Sequence, residues 1–352
     1  MNVVHGLKWF HNWVGIFITL TMLTVLTTGI YLGSVDIIKR TQNYDQPYLP
    51  LTLSQKAEAV AQLFERYPEM STVRFPTEYT PYIQASTRGK SIVFDNQLNE
   101  IAVRQNSDYP FYSTFFWLHR NFLMGDAGKY LNAWASLIGA AITLVGIYLW
   151  WRVRKGFRLS QSIPRNTRSA SLFKSHMQLG LFISIPLFVL CLSGFLITYK
   201  GLWLDALKTQ PEQGVTYPAS EPNDWLSQLS TAQNVWGASQ LVAVSKPRAR
   251  TDAENPPELN YRIGFNAHPS VWLREADAIT MSYQQGQILS ALKHSDRSIT
   301  GKIASFVRPL HDALNMPLSY VWLITLVSCV ATVILLFSLV TFYRRTFTKP
   351  AR

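Results

Sequence analysis

The chain has 352 residues, of which 48% are hydrophobic and 15% charged, with a net charge of +12. So small a charged fraction excludes an ordinary water-soluble chain of this length and points to a membrane protein. The positive excess is not a nucleic-acid surface. Lys8, the cluster Arg152, Arg154, Lys155, Arg158, Arg165, Arg168 and Lys174, and the tail residues Arg344, Arg345, Lys349 and Arg352 carry all of it, and elsewhere acids and bases balance.

Four stretches lack Asp, Glu, Lys and Arg altogether: Lys8 to Asp36, Lys129 to Arg152, Lys174 to Lys200, and Asp312 to Arg344. Each holds the roughly 20 apolar residues that cross a hydrocarbon core about 30 Å thick. Membrane helices are therefore expected within 1–33, 129–151, 176–200 and 317–343. The first is too long for a signal-peptide core and no small-residue cleavage site follows it, so it is read as retained. Short basic segments mark the cytoplasmic side. Both termini, including the tail 344–352, and the basic loop 152–175 are expected inside, with the near-neutral segments 34–128 and 201–316 outside. Trp13, Trp150, Trp151, Trp203 and Trp322 fall near span ends, where amphipathic rings favour the interface.

Segment 34–128 begins with the helical pattern LTLSQKAEAVAQLFERY. Ala57, Val60, Ala61 and Phe64 form its apolar face, and Thr52 or Ser54 can cap it. Short strands STVRF, PYIQAS, KSIVF and EIAVR follow, with a turn at Asp95-Asn96-Gln97. Segment 201–316 repeats the plan: a helix NDWLSQLSTAQNV, strands QLVAV, NYRIGF, AITMSY and QILSAL, and a turn at Gln284-Gln285-Gly286. The stretch SKPRARTDAENPPE between its strands reads as an exposed loop. The expected fold is a four-helix transmembrane bundle carrying two small outer α+β domains.

The bundle is a duplication. HNWVGIFITLTMLTVLTTGIYL aligns with HMQLGLFISIPLFVLCLSGFLIT, so that His11/His176, Gly15/Gly180 and Gly29/Gly194 share one offset of 165 residues. A Leu-His pair then precedes the second span of each half, Leu118-His119 and Leu310-His311, at an offset of 192. His11 and His176 begin helices that start inside, whereas His119 and His311 precede helices that start outside. Membrane thickness forbids pairing within a half, so the expected pairs are His11 with His176 and His119 with His311. Opposed imidazole pairs are axial ligands for haem.

No Cys-x-x-Cys-His is present, so the expected cofactors are two non-covalent b-type haems. Gly15 and Gly180, like the late glycines Gly29 and Gly194, remove side chains where helices or a flat macrocycle must approach closely. Arg120 and Arg308 flank the outer pair, and Lys8 and Lys174 the inner one, as partners for propionates. Bis-histidine ligation leaves no open iron position and so favours electron transfer. No flavin or nicotinamide motif appears, so the donor is expected to be separate, either quinol or a cytoplasmic reductase. Trp117, Trp225 and Trp272 are candidates to line an outer acceptor site. His5 lies on another helix face and is expected to be solvated, His268 and His294 are expected at the surface, and Cys191 and Cys329 are read as packing residues.

One helix followed by strands ending in KSIVFDNQLNEIAV resembles a PepSY domain. Helices with an opening histidine and a late glycine, with a Leu-His motif before the next span, resemble the PepSY-associated transmembrane, or iron-regulated membrane protein, family over essentially the whole chain. Helix 4 departs from the pattern, opening LHDALNMPLS without the glycine seen after His119. The family includes bacterial inner-membrane ferric-siderophore reductases with two haems. The resemblance therefore implies PepSY-like periplasmic domains, electron delivery to a periplasmic ferric siderophore and release of ferrous iron. The alternative reading is a haem-free PepSY membrane protein that binds or regulates a periplasmic partner such as a peptidase. A transporter is disfavoured by the lack of acidic or broken-helix sites within the spans.

Overall fold

The computed structural model describes residues 3–42, 46–78, 80–153, 157–199, 217–237, 239–246, 259–266, 276–314 and 316–347. Four helices are long and apolar enough to span a membrane: α1 (Val3–Thr41), α4 (Gly125–Val153), α5 (Ser169–Thr198) and α8 (Leu318–Phe347). The chain is a multi-pass membrane protein. Between the spans lie α2 (Leu53–Arg66), β1 (Thr72–Arg74), β2 (Ile83–Thr87), β3 (Lys90–Phe94), β4 (Glu100–Gln105) and α3 (Tyr112–Asn121) in the first half. The second half supplies α6 (Trp225–Trp236), β5 (Gln240–Ser245), β6 (Asn260–Asn266), β7 (Ala276–Ser282), β8 (Ile288–Leu292) and α7 (Ile299–Asp312).

In the bundle α1 packs against α4 and α8, and α5 packs against the same two, so α1 and α5 stand diagonally across the centre. Small residues permit the close approaches. Gly139 faces the sulfurs of Cys191 and Met22, and Gly33 faces Thr325. Trp13, Trp151 and Trp322 are exposed near helix ends, as interfacial tryptophans should be. At 39 residues α1 is about 58 Å long, well beyond the hydrocarbon core, so its last turns reach out to the sheet. There Lys39 Nζ donates to Asn106 Oδ1 at 3.1 Å and Arg104 donates to the Gln42 carbonyl at 3.1 Å.

The two α+β units expected from sequence share a single sheet. Its order is β4-β3-β2-β1-β5-β6-β7-β8, antiparallel throughout. β1 and β5 form the central seam, pairing Val73 with Val244, and the Thr72 hydroxyl donates to Ser245 Oγ at 3.1 Å across it. Each repeat is a helix and four strands with one coverable face, and joining edges at the seam removes two exposed strand edges. α2 and α6 pack side by side on one face, where Val60, Leu63, Leu229 and Ala232 meet Val73, Ile83, Ile263 and Ile279. Leu63 and Leu229 are wholly buried, each contributing about 2 kcal/mol of hydrophobic stabilisation. Thr52 caps α2 in a capping box with Gln55, and Asp224 caps α6 by accepting from Leu226 and Ser227.

Candidate functional site

His11 on α1 and His176 on α5 come from diagonally opposed helices, and their ring centres lie 6.1 Å apart with planes at 85°. His119 and His311 lie on α3 and α7, the short helices that precede α4 and α8. Their ring centres are also 6.1 Å apart, with planes at 49°. α3 is wedged against α1 and α4, and Asn132 of α4 donates to the His119 carbonyl at 2.7 Å. On the other side Tyr320 of α8 donates to the Leu310 carbonyl at 2.7 Å. His119 docks against Gly29, and α1 rises about 27 Å between His11 and that glycine. The two pairs therefore sit near opposite ends of the bundle, one toward the basic segments and one toward the sheet.

Each ring fits a notch on a neighbouring helix. Nδ1 of His119 lies 3.0 Å from the Val25 carbonyl and 3.1 Å from the Thr28 hydroxyl. Nδ1 of His311 lies 3.2 Å from the Leu190 carbonyl and 3.2 Å from the Ser193 hydroxyl. A Cβ on Gly29 or Gly194 would come within 3.3 or 3.2 Å of the Cε1 of the docked ring, so glycine is what admits it. On the basic side His176 faces the Ile334 carbonyl and sits 2.9 Å from Ser338 Oγ, while His11 faces the Ile142 carbonyl and lies against Gly146. These notches obey the duplication: Val25, Thr28 and Gly29 correspond to Leu190, Ser193 and Gly194, and Ile142 and Gly146 to Ile334 and Ser338.

The notches fix a tautomer. Thr28 donates its hydroxyl hydrogen to Thr24 O at 2.7 Å, Ser193 to Leu190 O at 3.1 Å, and Ser338 to Ile334 O at 2.9 Å. Their remaining lone pairs, like the carbonyls, can only accept, so Nδ1 of His119, His311 and His176 carries the hydrogen. Nε2 of each is left with a lone pair to donate to a metal.

The four histidines line one cavity of about 1670 Å³ running along the bundle axis. That exceeds the roughly 300–1,000 Å³ of a pocket for one drug-sized ligand. Gly15 and Gly180 line it, and a Cβ at either would meet nothing within 4 Å, so these two glycines border open space. Lys8 and Lys174 stand at the basic end, and Arg120, Lys129 and Arg308 at the sheet end. Arg308 is paired with Asp312 at 2.8 Å, and Arg120 lies over the Trp117 ring at 5.5 Å.

Two imidazoles bonded to one metal ion at about 2 Å each have ring centres about 6 Å apart, which is the spacing of both pairs. Among the described residues no three His, Cys, Asp or Glu side chains cluster as metal donors. Donors in twos, beside a wide apolar cavity with cations at both mouths, suit a metal that brings its own equatorial ligands and acidic substituents. The residues thus fit a haem at each pair.

A family model described as PepSY-associated TM region matches residues 8–345. The chain belongs to this family. No curated protein matches the chain. Within this PepSY-associated protein the matched stretch takes in all four spans, both histidine pairs and the whole sheet.

Several sequence expectations change. His294 is buried rather than at the surface: its backbone N–H donates to Asp277 at 2.6 Å and its ring packs against Phe306 of α7. Trp225 is a largely buried core residue packed among Tyr261, Tyr283 and Phe64. Trp117 lies on α3 two residues from His119, with the guanidinium of Arg88 from the β2–β3 turn over its ring at 5.8 Å. His5 is exposed, as expected. Arg154, Lys155, Trp203, His268, Trp272, Lys349 and Arg352 lie outside the described residues.

The notch residues Thr28, Ser193, Ile142, Gly146, Ile334 and Ser338 escaped sequence reasoning. The signal was available, because the same two offsets that align the histidines also align the notches.

Proposed function

We propose that this protein is a di-haem b-type electron-transfer protein of the bacterial inner membrane that reduces a periplasmic ferric siderophore and releases ferrous iron. The observation that carries the reading is the pair of imidazole pairs, each spaced for one iron and three of the four rings anchored through Nδ1. A haem between two imidazoles supplies reversible one-electron ferric–ferrous chemistry with no open site.

The residues of the chain supply placement and exclusion. The notches hold the rings across the cavity, and Gly15 and Gly180 leave open space beside the basic-side pair. Leu26, Leu187 and other apolar side chains line most of the cavity between the two ends. Lys8 and Lys174, and Arg120 and Arg308, line the two ends and would neutralise propionates there.

The direction follows from charge. Arg152, Arg158, Arg165, Arg168, Lys174, Arg344 and Arg345 gather on the side opposite the sheet, which by the positive-inside rule is cytoplasmic. Electrons then enter from quinol or a separate cytoplasmic reductase and leave beside His119 and His311. Hard oxygen donors hold ferric iron much more strongly than ferrous, so one added electron releases the metal with the chelator intact.

The test is stopped-flow mixing of the reduced, purified protein with a ferric siderophore in the presence of a ferrous trap. Each haem reoxidised should match one trapped ferrous ion, two per protein, and His311→Ala should abolish both signals while the protein still inserts. Full activity in that variant would refute the proposal.

A further inference from the structure

Three of the four ligand notches give the docked ring a hydroxyl; the fourth does not. His119 has Thr28, His311 has Ser193 and His176 has Ser338. At the notch for His11 the residue equivalent to Ser338 is Gly146, and the residue before it, Val145, offers no hydroxyl where the sheet-side notches have Thr28 and Ser193. Nδ1 of His11 faces the Ile142 carbonyl without reaching hydrogen-bond geometry, and among the described residues this buried nitrogen has no hydrogen-bond partner.

From this asymmetry, and resting on the two-haem reading, we infer that His11 is the exchangeable axial ligand, so that the basic-side pair opens to a small neutral donor such as carbon monoxide while the sheet-side pair stays closed. A partner on the distal nitrogen of a ligating histidine fixes its tautomer and orientation and raises its basicity, and losing that partner typically costs 10–100-fold in metal affinity. Within the basic-side pair the weaker anchor belongs to His11 and the stronger to His176, so the two ligands of one iron are unequal. Space for an incoming donor is present on the same side. Gly15, one turn beyond His11, and Gly180, one turn beyond His176, both border open cavity. Ile16, Ile142 and Leu335 supply apolar lining there, with Lys8 and Lys174 at the same end of the cavity.

Carbon monoxide titration of the dithionite-reduced, purified full chain tests this, with total haem counted by the pyridine haemochrome method. Carbon monoxide should saturate half of the haem. Gly146→Ser supplies the hydroxyl found at Ser338 but sets a β-carbon 3.2 Å from Cε1 of His11; with the ring shifted by a few tenths of an ångström and both haems retained, that binding should weaken at least tenfold. Ser338→Gly, which frees the second ligand of the same pair, should strengthen it about tenfold at the same half stoichiometry, and decides the matter if Gly146→Ser fails to assemble. Carbon monoxide binding to neither haem or to both, or an affinity indifferent to these substitutions, would overturn the inference and leave the electron-transfer reading standing. A protein that binds no haem would overturn both.

Discussion

The Thr28 hydroxyl stands 3.1 Å from Nδ1 of His119 while donating its own hydrogen to the Thr24 carbonyl one turn below. The hydroxyl is thereby an acceptor only, and it holds the imidazole in the tautomer that leaves Nε2 free. Thr28→Val keeps the shape and removes the hydroxyl acceptor, leaving the Val25 carbonyl 3.0 Å from Nδ1. Loss of the sheet-side haem to apomyoglobin should quicken by up to about tenfold, with the basic-side haem unchanged. Equal loss from both sites would contradict this role.

Gly29 and Gly194 admit the rings of His119 and His311, and any β-carbon there crowds Cε1 at 3.2–3.3 Å. Gly29→Val adds two methyl groups beyond that contact and should push His119 out of its notch. Haem per chain should drop from two to one, and the remaining haem should carry the spectrum lost in His11→Ala.

The ring planes differ between the pairs, 85° for His11 with His176 and 49° for His119 with His311. Axial ring orientation splits the iron d orbitals, so the ferric protein should give two distinct low-spin electron paramagnetic resonance signals. His176→Ala should remove one and His311→Ala the other. A single signal lost wholly in either variant would show that the two sites are not separately built.

Arg40 ties the end of α1 to the turn between α7 and α8. It donates to the Met316 carbonyl at 2.6 Å and the Ala313 carbonyl at 3.0 Å, and pairs with Asp36 at 2.9 Å. Charge-assisted bonds of this kind contribute about 1.5–3 kcal/mol. Arg40→Leu should raise amide exchange in the peptide spanning this turn by about tenfold or more, leaving the sheet core protected.

The Asp95 carboxylate organises the β3–β4 turn, accepting from the backbone of Gln97 and Asn99 at 2.8 and 2.9 Å and from the Asn99 side chain at 2.9 Å. Partial burial acts to raise its pKa, but these hydrogen bonds outweigh it and hold the carboxyl below its ordinary value of 3.8. A depressed carboxyl stabilises the fold fully above the unfolded value and loses that contribution as pH falls through the folded one. Exchange protection of the hairpin, corrected for intrinsic rates, should decline below about pH 4, and Asp95→Asn should flatten that dependence.

The four spans were legible from charge gaps alone, because a hydrocarbon core excludes Lys, Arg, Asp and Glu so strongly that nothing else empties such stretches. The histidines were legible because duplication places them twice. The shared sheet was not: pairing Val73 with Val244 is a contact between residues far apart in sequence, and neither strand's alternation says which edge it joins. The helical setting of His311 was missed although Ile303, Phe306, Val307 and Leu310 recur at helical spacing after the Ser298 cap. Burial of His294 depends on Phe306 of α7 packing on its ring and on Asp277 of β7 accepting from its backbone, contacts that its neighbours in sequence do not encode.

The measurement that bears most directly on the central claim is the haem content of the purified protein, by pyridine haemochrome, in the wild type and in His176→Ala and His311→Ala. The account requires two b-type haems per chain with a low-spin reduced spectrum, and one haem in each variant. A colourless protein after expression with haem supplied, or two haems retained in either variant, would contradict it.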